Sequence, residues 1–153
     1  MIVKFFQFRL PPPLIGFLFL IFLFFTREKF PFLDFPKREL IAWYFIFLGI
    51  VLDITSIYKF YSGQTTISPL KPDLSKTLIK TWPYTFSRNP MYLGMISLLW
   101  GVSLLVNQIA GVLGVPLIFL YLTIFQVKPE ERILLEKFGD EYQDYKTKVR
   151  RWF

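Results

Sequence analysis

Two stretches carry the residue types that can do chemistry. The first runs Pro83-Tyr84-Thr85-Phe86-Ser87-Arg88-Asn89-Pro90-Met91-Tyr92-Leu93-Gly94, and the second is the acidic pair Glu130-Glu131. Together they offer a guanidinium, an amide, phenols and two carboxylates. A guanidinium forks onto carboxylate or phosphate, and a carboxylate accepts from hydroxyls or pairs with an ammonium. Such a set could hold a polar cofactor beside a lipid. What the chain lacks narrows the chemistry further. There is no Cys and no His. Disulfides, thiolate nucleophiles, imidazole bases, a Ser-His-Asp triad and His-ligated zinc or haem are excluded, and no metal site is expected.

Each residue also has a structural explanation. Arg88 can snorkel at a membrane surface. Tyr84 and Tyr92 can belong to an interfacial aromatic belt. Glu130 and Glu131 follow Pro129 and can offset a helix dipole in a first turn. Asn89-Pro90 can be a cap and first-turn proline, and Gly94 and Gly101 can serve close helix packing. The combination, rather than any one residue, argues for a site.

The elements that must position these residues are membrane helices. Hydrophobic residues make up 54% of the 153, and 19 are Phe. A soluble domain of this size could not bury so many without large exposed patches. The net charge of +7 comes from basic residues that flank apolar runs. That favours an anionic lipid surface over nucleic acid as the partner. A helical span needs about 20 mainly apolar residues. The expected fold is an all-α integral membrane protein, a single domain over 1–153. Its four transmembrane helices fall near 10–25, 40–58, 91–106 and 109–127, with a cytoplasmic loop at 61–90. The last two form a hairpin turning near Asn107, because no charge occurs from Asn89 to Val127. A signal peptide is disfavoured for the first span, since Arg27-Glu28-Lys29 follows it instead of a small-residue cleavage site.

The segment 129–153 reads as a cytoplasmic amphipathic tail. Leu135, Phe138, Tyr142, Tyr145, Val149 and Trp152 recur at helical spacing on one face. Gly139 is expected to break it into two helices, with Asp140 capping the second. Four spans put 14 of the 18 Lys and Arg on one side, including Lys4, Arg9, Lys71 and Lys76. The positive-inside rule then places both termini in the cytoplasm. Asp53 lies within the second span, where an acid costs roughly 2.5–3.5 kcal/mol to insert. It should face other helices or a wet cavity.

The same motifs resemble a family. Pro83-Tyr84, Arg88-Asn89-Pro90-Met91-Tyr92-Leu93-Gly94, Glu130-Glu131, Phe138-Gly139-Asp140-Glu141-Tyr142 and the closing Val149-Arg150-Arg151-Trp152 look like the isoprenylcysteine carboxyl methyltransferase and phospholipid methyltransferase superfamily, in its short bacterial branch. Pro11-Pro12-Pro13 and the Pro69…Pro72 loop are similar too. The resemblance implies a membrane enzyme that uses S-adenosylmethionine. It implies cofactor contacts at Pro83, Tyr84, Arg88, Asn89, Pro90, Tyr92, Gly94, Glu130 and Glu131, with Arg88 and Glu131 catalytic. On that basis Arg88, Glu130 and Glu131 are expected to surround the polar parts of the cofactor, and Glu131→Gln to weaken binding while sparing the fold. Methyl transfer from a sulfonium needs alignment and dryness more than acid–base groups, so the absence of His is tolerable.

Two positions depart from the family pattern. Trp82 stands where Gly usually precedes Pro-Tyr. The stretch Thr123–Val127 lacks the Arg that prenylcysteine enzymes carry before the glutamates. A lipid amine or another amphipathic acceptor is therefore as consistent as a prenylcysteine carboxylate. Two alternatives to a methyltransferase are a membrane reductase of related architecture and a non-catalytic scaffold subunit.

Overall fold

Pro11, Pro12 and Pro13 open the first helix, α1 (Pro12–Thr26), where a proline's missing N–H is an orphan in any case. The computed structural model describes residues 10–30, 34–62, 77–106 and 108–153. Among them every regular element is helical. After α1 come α2 (Arg38–Ser62), α3 (Pro90–Leu105), α4 (Ile109–Leu122), a π-helical turn (Thr123–Val127) and α5 (Lys128–Lys148). The turn expected at Asn107, the Pro69…Pro72 loop and the basic residues Lys4, Arg9, Lys71 and Lys76 lie outside the described residues.

Two of these helical runs are long and apolar enough to cross a membrane: Arg38–Ser62 and the continuous run Ile109–Lys148. Pro12–Thr26 and Pro90–Leu105 are apolar but shorter. The outer face of α2 carries Trp43, Tyr44, Phe47, Ile54 and Tyr58, all exposed. Large apolar side chains facing outward suit lipid, not water. The chain is a membrane protein.

Among the described elements, α2 and α3 share the most extensive contact. A Cβ on Gly49 would come within 2.7 Å of Leu98 and 2.8 Å of the Gly94 carbonyl. One on Gly101 would meet Ile46 and the Ala42 carbonyl at 2.5 and 2.7 Å. Small residues let backbones approach where lipid gives no hydrophobic drive to association. At the far end of the seam, Arg38 Nη1 donates to the Leu104 carbonyl at 2.6 Å. That carbonyl is one of the orphans of the last turn of α3.

Two glutamine amides fasten α1 to the hairpin. Gln126 Nε2 donates to the Leu10 carbonyl at 2.8 Å, and Gln108 Nε2 to the Leu23 carbonyl at 3.2 Å. Both glutamines are fully buried. The core between α3 and the last helices is Tyr92, Ile96, Leu99, Val115, Leu122 and Val127, with Trp152 of the tail packed against it.

The tail corrects one expectation. The segment 129–153 is expected as a tail separate from the fourth span, but the helical run does not stop at Pro129. Leu122, Val127 and Lys128 all keep α-helical angles, and the Lys128 N–H reaches back five residues to the Thr123 carbonyl. The wider π turn satisfies the backbone just before a proline that would otherwise interrupt it. The run bends at Gly139, the expected position, whose φ of +49° lies in the region where glycine carries no Cβ penalty. Beyond the bend, Tyr142, Tyr145 and Val149 pack with Tyr84 beneath the bundle.

Candidate functional site

The segment before α3 and the last residues of the chain are stitched together. The Arg88 N–H donates to the Arg150 carbonyl at 3.0 Å. Ser87 Oγ and Asn89 Nδ2 both donate to the Arg151 carbonyl, at 3.2 and 2.9 Å. Asn89 is the N-cap residue of α3, yet its side chain makes no cap hydrogen bond and serves this junction instead. Tyr145 OH donates to the Tyr84 carbonyl at 2.6 Å, and an exposed Lys80–Glu141 pair lies further out.

This junction presents Arg88 to Glu131. Arg88 Nη2 donates to Glu131 Oε1 at 2.6 Å, and Arg88 Nε to the same oxygen at 3.2 Å. Arg151 holds Glu131 from the other side: Nη2 reaches Oε2 at 2.7 Å and Nε reaches Oε1 at 3.0 Å. The rest of the Arg88 fork points at main-chain carbonyls, Val149 at 2.8 Å and Lys146 at 3.4 Å. Glu131 is thus a buried carboxylate between two guanidiniums. Burial pushes its pKa up, but the hydrogen bonds and charges of Arg151 and Arg88 outweigh that and hold it below the usual value.

Glu130 is placed differently. Tyr92 OH donates to its Oε2 at 3.0 Å. Burial, offset in part by that bond and reinforced by the Glu131 charge, pushes its pKa from 4.5 up to about 7. Burial also raises the Tyr84, Tyr142 and Tyr145 hydroxyls, so all three stay protonated donors.

These groups surround a cavity of about 440 Å³. That is within the range of roughly 300–1,000 Å³ typical of small-molecule sites. Arg88, Tyr92, Glu130, Glu131, Tyr142 and Tyr145 form its polar end, with Phe60 against Tyr84 there, and Ile57, Met95 and Leu98 continue it as an apolar wall. Of the residues singled out in the sequence, Tyr84, Arg88, Asn89, Pro90, Tyr92, Glu130 and Glu131 line this space. Pro83 and Gly94 do not. Pro83 is fully buried, and Gly94 faces Gly49 and Asp53 in the helix seam. Trp82 is half exposed with its ring centroid 6.4 Å from that of Phe86, away from the cavity lining. The explanation of the glutamates as first-turn acids also fails, because no free helix start exists there.

Sequence reasoning missed Arg151 as a partner of Glu131, and Tyr142 and Tyr145 as cavity residues. Arg151 stood in the closing motif, but nothing local pairs it with an acid 20 residues back. In the sequence the two tyrosines belong only to the apolar face of the tail.

The fold and the site define a helical membrane protein with a charged, aromatic-lined cavity at one end of its bundle. The phospholipid methyltransferase family matches residues 38–141, and the chain belongs to that family. Three relatives are similar to parts of the chain. A Haemophilus influenzae protein described as uncharacterized is 44% identical over 62 residues, 40% of this chain and 98% of the relative. The Saccharomyces cerevisiae protein-S-isoprenylcysteine O-methyltransferase is 34% identical over 82 residues, 52% of this chain and 33% of the relative. Methanethiol S-methyltransferase 1 of Bradyrhizobium diazoefficiens is 36% identical over 66 residues, 43% of this chain and 22% of the relative. The match thus spans a third or less of the two relatives named as methyltransferases. No solved structure matches the chain.

Proposed function

We propose that this protein is a membrane-embedded methyltransferase that moves a methyl group from S-adenosylmethionine to a lipid-like or amphipathic acceptor. Family membership supports the transfer class. The single observation that carries the rest is the cavity, polar at one end and apolar along its wall. The donor set fits the cofactor. Glu130 keeps one carboxylate oxygen free of the Tyr92 bond, available to an ammonium or a ribose hydroxyl. The tyrosine rings and Phe60 offer faces to a sulfonium or an adenine.

Bound there, S-adenosylmethionine supplies an electrophilic methyl whose leaving group is a neutral thioether. The protein's part is to bind, orient and exclude water. Tyr92 fixes the rotamer of Glu130. Arg88 and Glu131, neutralising one another, hold the junction of chain segments that closes the polar end. Their role here is positioning, not direct chemistry. Pro83, Asn89, Pro90 and Gly94 support the backbone that carries Tyr84, Arg88 and Tyr92. The relatives are named for oxygen and sulfur acceptors, so the acceptor atom of this chain is left to its own cavity.

The proposed topology is four spans with both termini cytoplasmic in a bacterial inner membrane. It rests on the 14-to-4 division of basic residues and on α1 and α3 packing beside the two longer helices. Titration calorimetry with S-adenosylhomocysteine on detergent-purified protein tests the function. The parent should bind, and Glu130→Gln should bind about tenfold more weakly, as for loss of a charged hydrogen bond. A folded parent that does not bind, or equal affinities, would defeat the reading.

A further inference from the structure

Asp53 is the charged cavity residue that the reading above leaves without a role. It lies within the apolar run of α2 and lines the cavity. Gly94 sets its position. A Cβ there would collide with the Asp53 carboxylate and lie 3.0 Å from the Gly49 carbonyl. The missing side chain leaves a notch in α3, and the carboxylate occupies it at the edge of the cavity. Among the described residues no hydrogen bond or ion pair reaches Asp53, and the neighbour that feels its charge is the Tyr84 phenol. An acid at membrane depth is retained where it faces a cavity and meets a partner there.

The charges on the cavity wall decide what that partner is. Arg88 is the cation on the wall among the described residues, and it is closed by Glu131 and two carbonyls. Arg151 closes on Glu131 as well. Among the described residues the acidic groups with no cation partner are two carboxyls, Glu130, which Tyr92 bonds at the polar end, and Asp53, where Met95 and Leu98 continue the wall. The other ionisable groups bordering this space are Tyr84, Tyr92, Tyr142 and Tyr145, all phenols. Among the described residues, an anionic head group entering from the apolar side would meet Asp53 with no free cation facing it. A cationic or hydrogen-donating head would find an acceptor.

We infer that Asp53 is the specificity-determining residue of the acceptor subsite, receiving head groups that are cationic or donate hydrogen and turning away anionic ones. The inference rests on the methyltransferase reading, and its test keeps the two apart. Titration with S-adenosylhomocysteine alone reports on the cofactor site. Decylammonium and decanoate, equal in chain length and opposite in head charge, are then titrated separately into the protein in neutral detergent, with and without S-adenosylhomocysteine. The parent should prefer decylammonium by about tenfold or more, the scale of a charge-assisted hydrogen bond. Asp53→Asn should lose most of that preference and keep its affinity for S-adenosylhomocysteine within about twofold, well under the effect of breaking a direct contact. Asp53→Ser serves if the amide variant does not fold. Equal or tighter decanoate binding by the parent, or an undiminished preference in a folded Asp53 variant, overturns the inference.

Discussion

Glu130 and Glu131 are adjacent in sequence and opposite in circumstance. Glu131 is gripped by Arg88 and Arg151, whereas Glu130 has one phenol and an open cavity. The contrast separates their pH behaviour. Glu130 titrates near 4.5 when exposed and at about 7 when folded. Between those values the folded state holds the extra proton, so stability falls as pH rises through the window. Glu131 is shifted downward, so its contribution is complete above about 4.5 and is lost only in more acid solution. The melting temperature of the ligand-free protein should therefore drop from pH 5 to pH 7.5, and Glu130→Gln should flatten the drop. A flat profile in the parent would count against the burial of Glu130. Glu131→Gln should not spare the fold, contrary to the sequence expectation. It sets a neutral amide between two guanidiniums where side-chain exposure is 9% for Arg88 and 10% for Glu131. Breaking a buried pair in this way costs about 3–5 kcal/mol. Thermal melts of the two variants should show Glu131→Gln far below Glu130→Gln at pH 7. The reverse order would return Glu131 to a purely ligand-binding role.

The α2–α3 seam and the π turn are the elements on which the site depends, and they were unequally visible in the sequence. Gly94→Ala should push α2 away from α3, because the new methyl meets both Asp53 and the Gly49 carbonyl. Overpacking of this kind costs about 1–3 kcal/mol. A melt in detergent should fall accordingly, and an unchanged melt would mean that the seam yields freely. The apolar runs of all four hydrophobic stretches were legible because hydropathy and length need no partner to be read. The extension of α2 to Ser62, past the expected end at 58, was not, since Lys59 and Tyr61 are polar enough to look like loop. The continuity from α4 to α5 was hidden by Pro129, which reads as a helix start unless a π turn precedes it. In the site, Arg88, Tyr92 and the glutamates were legible as a combination of scarce polar types inside apolar sequence. Their pairing was not: it requires the reversal at Gly139, which brings Arg151 to Glu131 across 20 residues of chain.

At the scale of the whole molecule the two ends of the site belong to distant parts of one chain, and both must lie on one side of the membrane. The native sequence has no Cys, so single cysteines report accessibility without background. A Cys in place of Lys146 should be labelled from the cytoplasmic side, and labelling from the periplasm alone would sink the proposed topology. The same arrangement makes the last five residues decisive. Val149 supplies a carbonyl to Arg88, Arg150 and Arg151 supply carbonyls to residues 87–89, and the Arg151 guanidinium completes the grip on Glu131. Trp152 packs against Phe119 with the rings tilted and their centroids 4.5 Å apart, anchoring the strap to α4. A chain ending at Lys148 keeps every helix but leaves Arg88 and Glu131 with half their partners. An unmatched buried donor or acceptor costs about 1–3 kcal/mol, and several are created at once. The truncated protein should therefore keep its helical circular dichroism, melt lower, and bind S-adenosylhomocysteine at least tenfold more weakly, about 1.4 kcal/mol for that factor. Arg151→Ala, which keeps the strap's backbone and Trp152, should fall between the truncated and parent proteins. Parent-like affinity in the truncated chain would show that the polar end of the cavity stands without its strap.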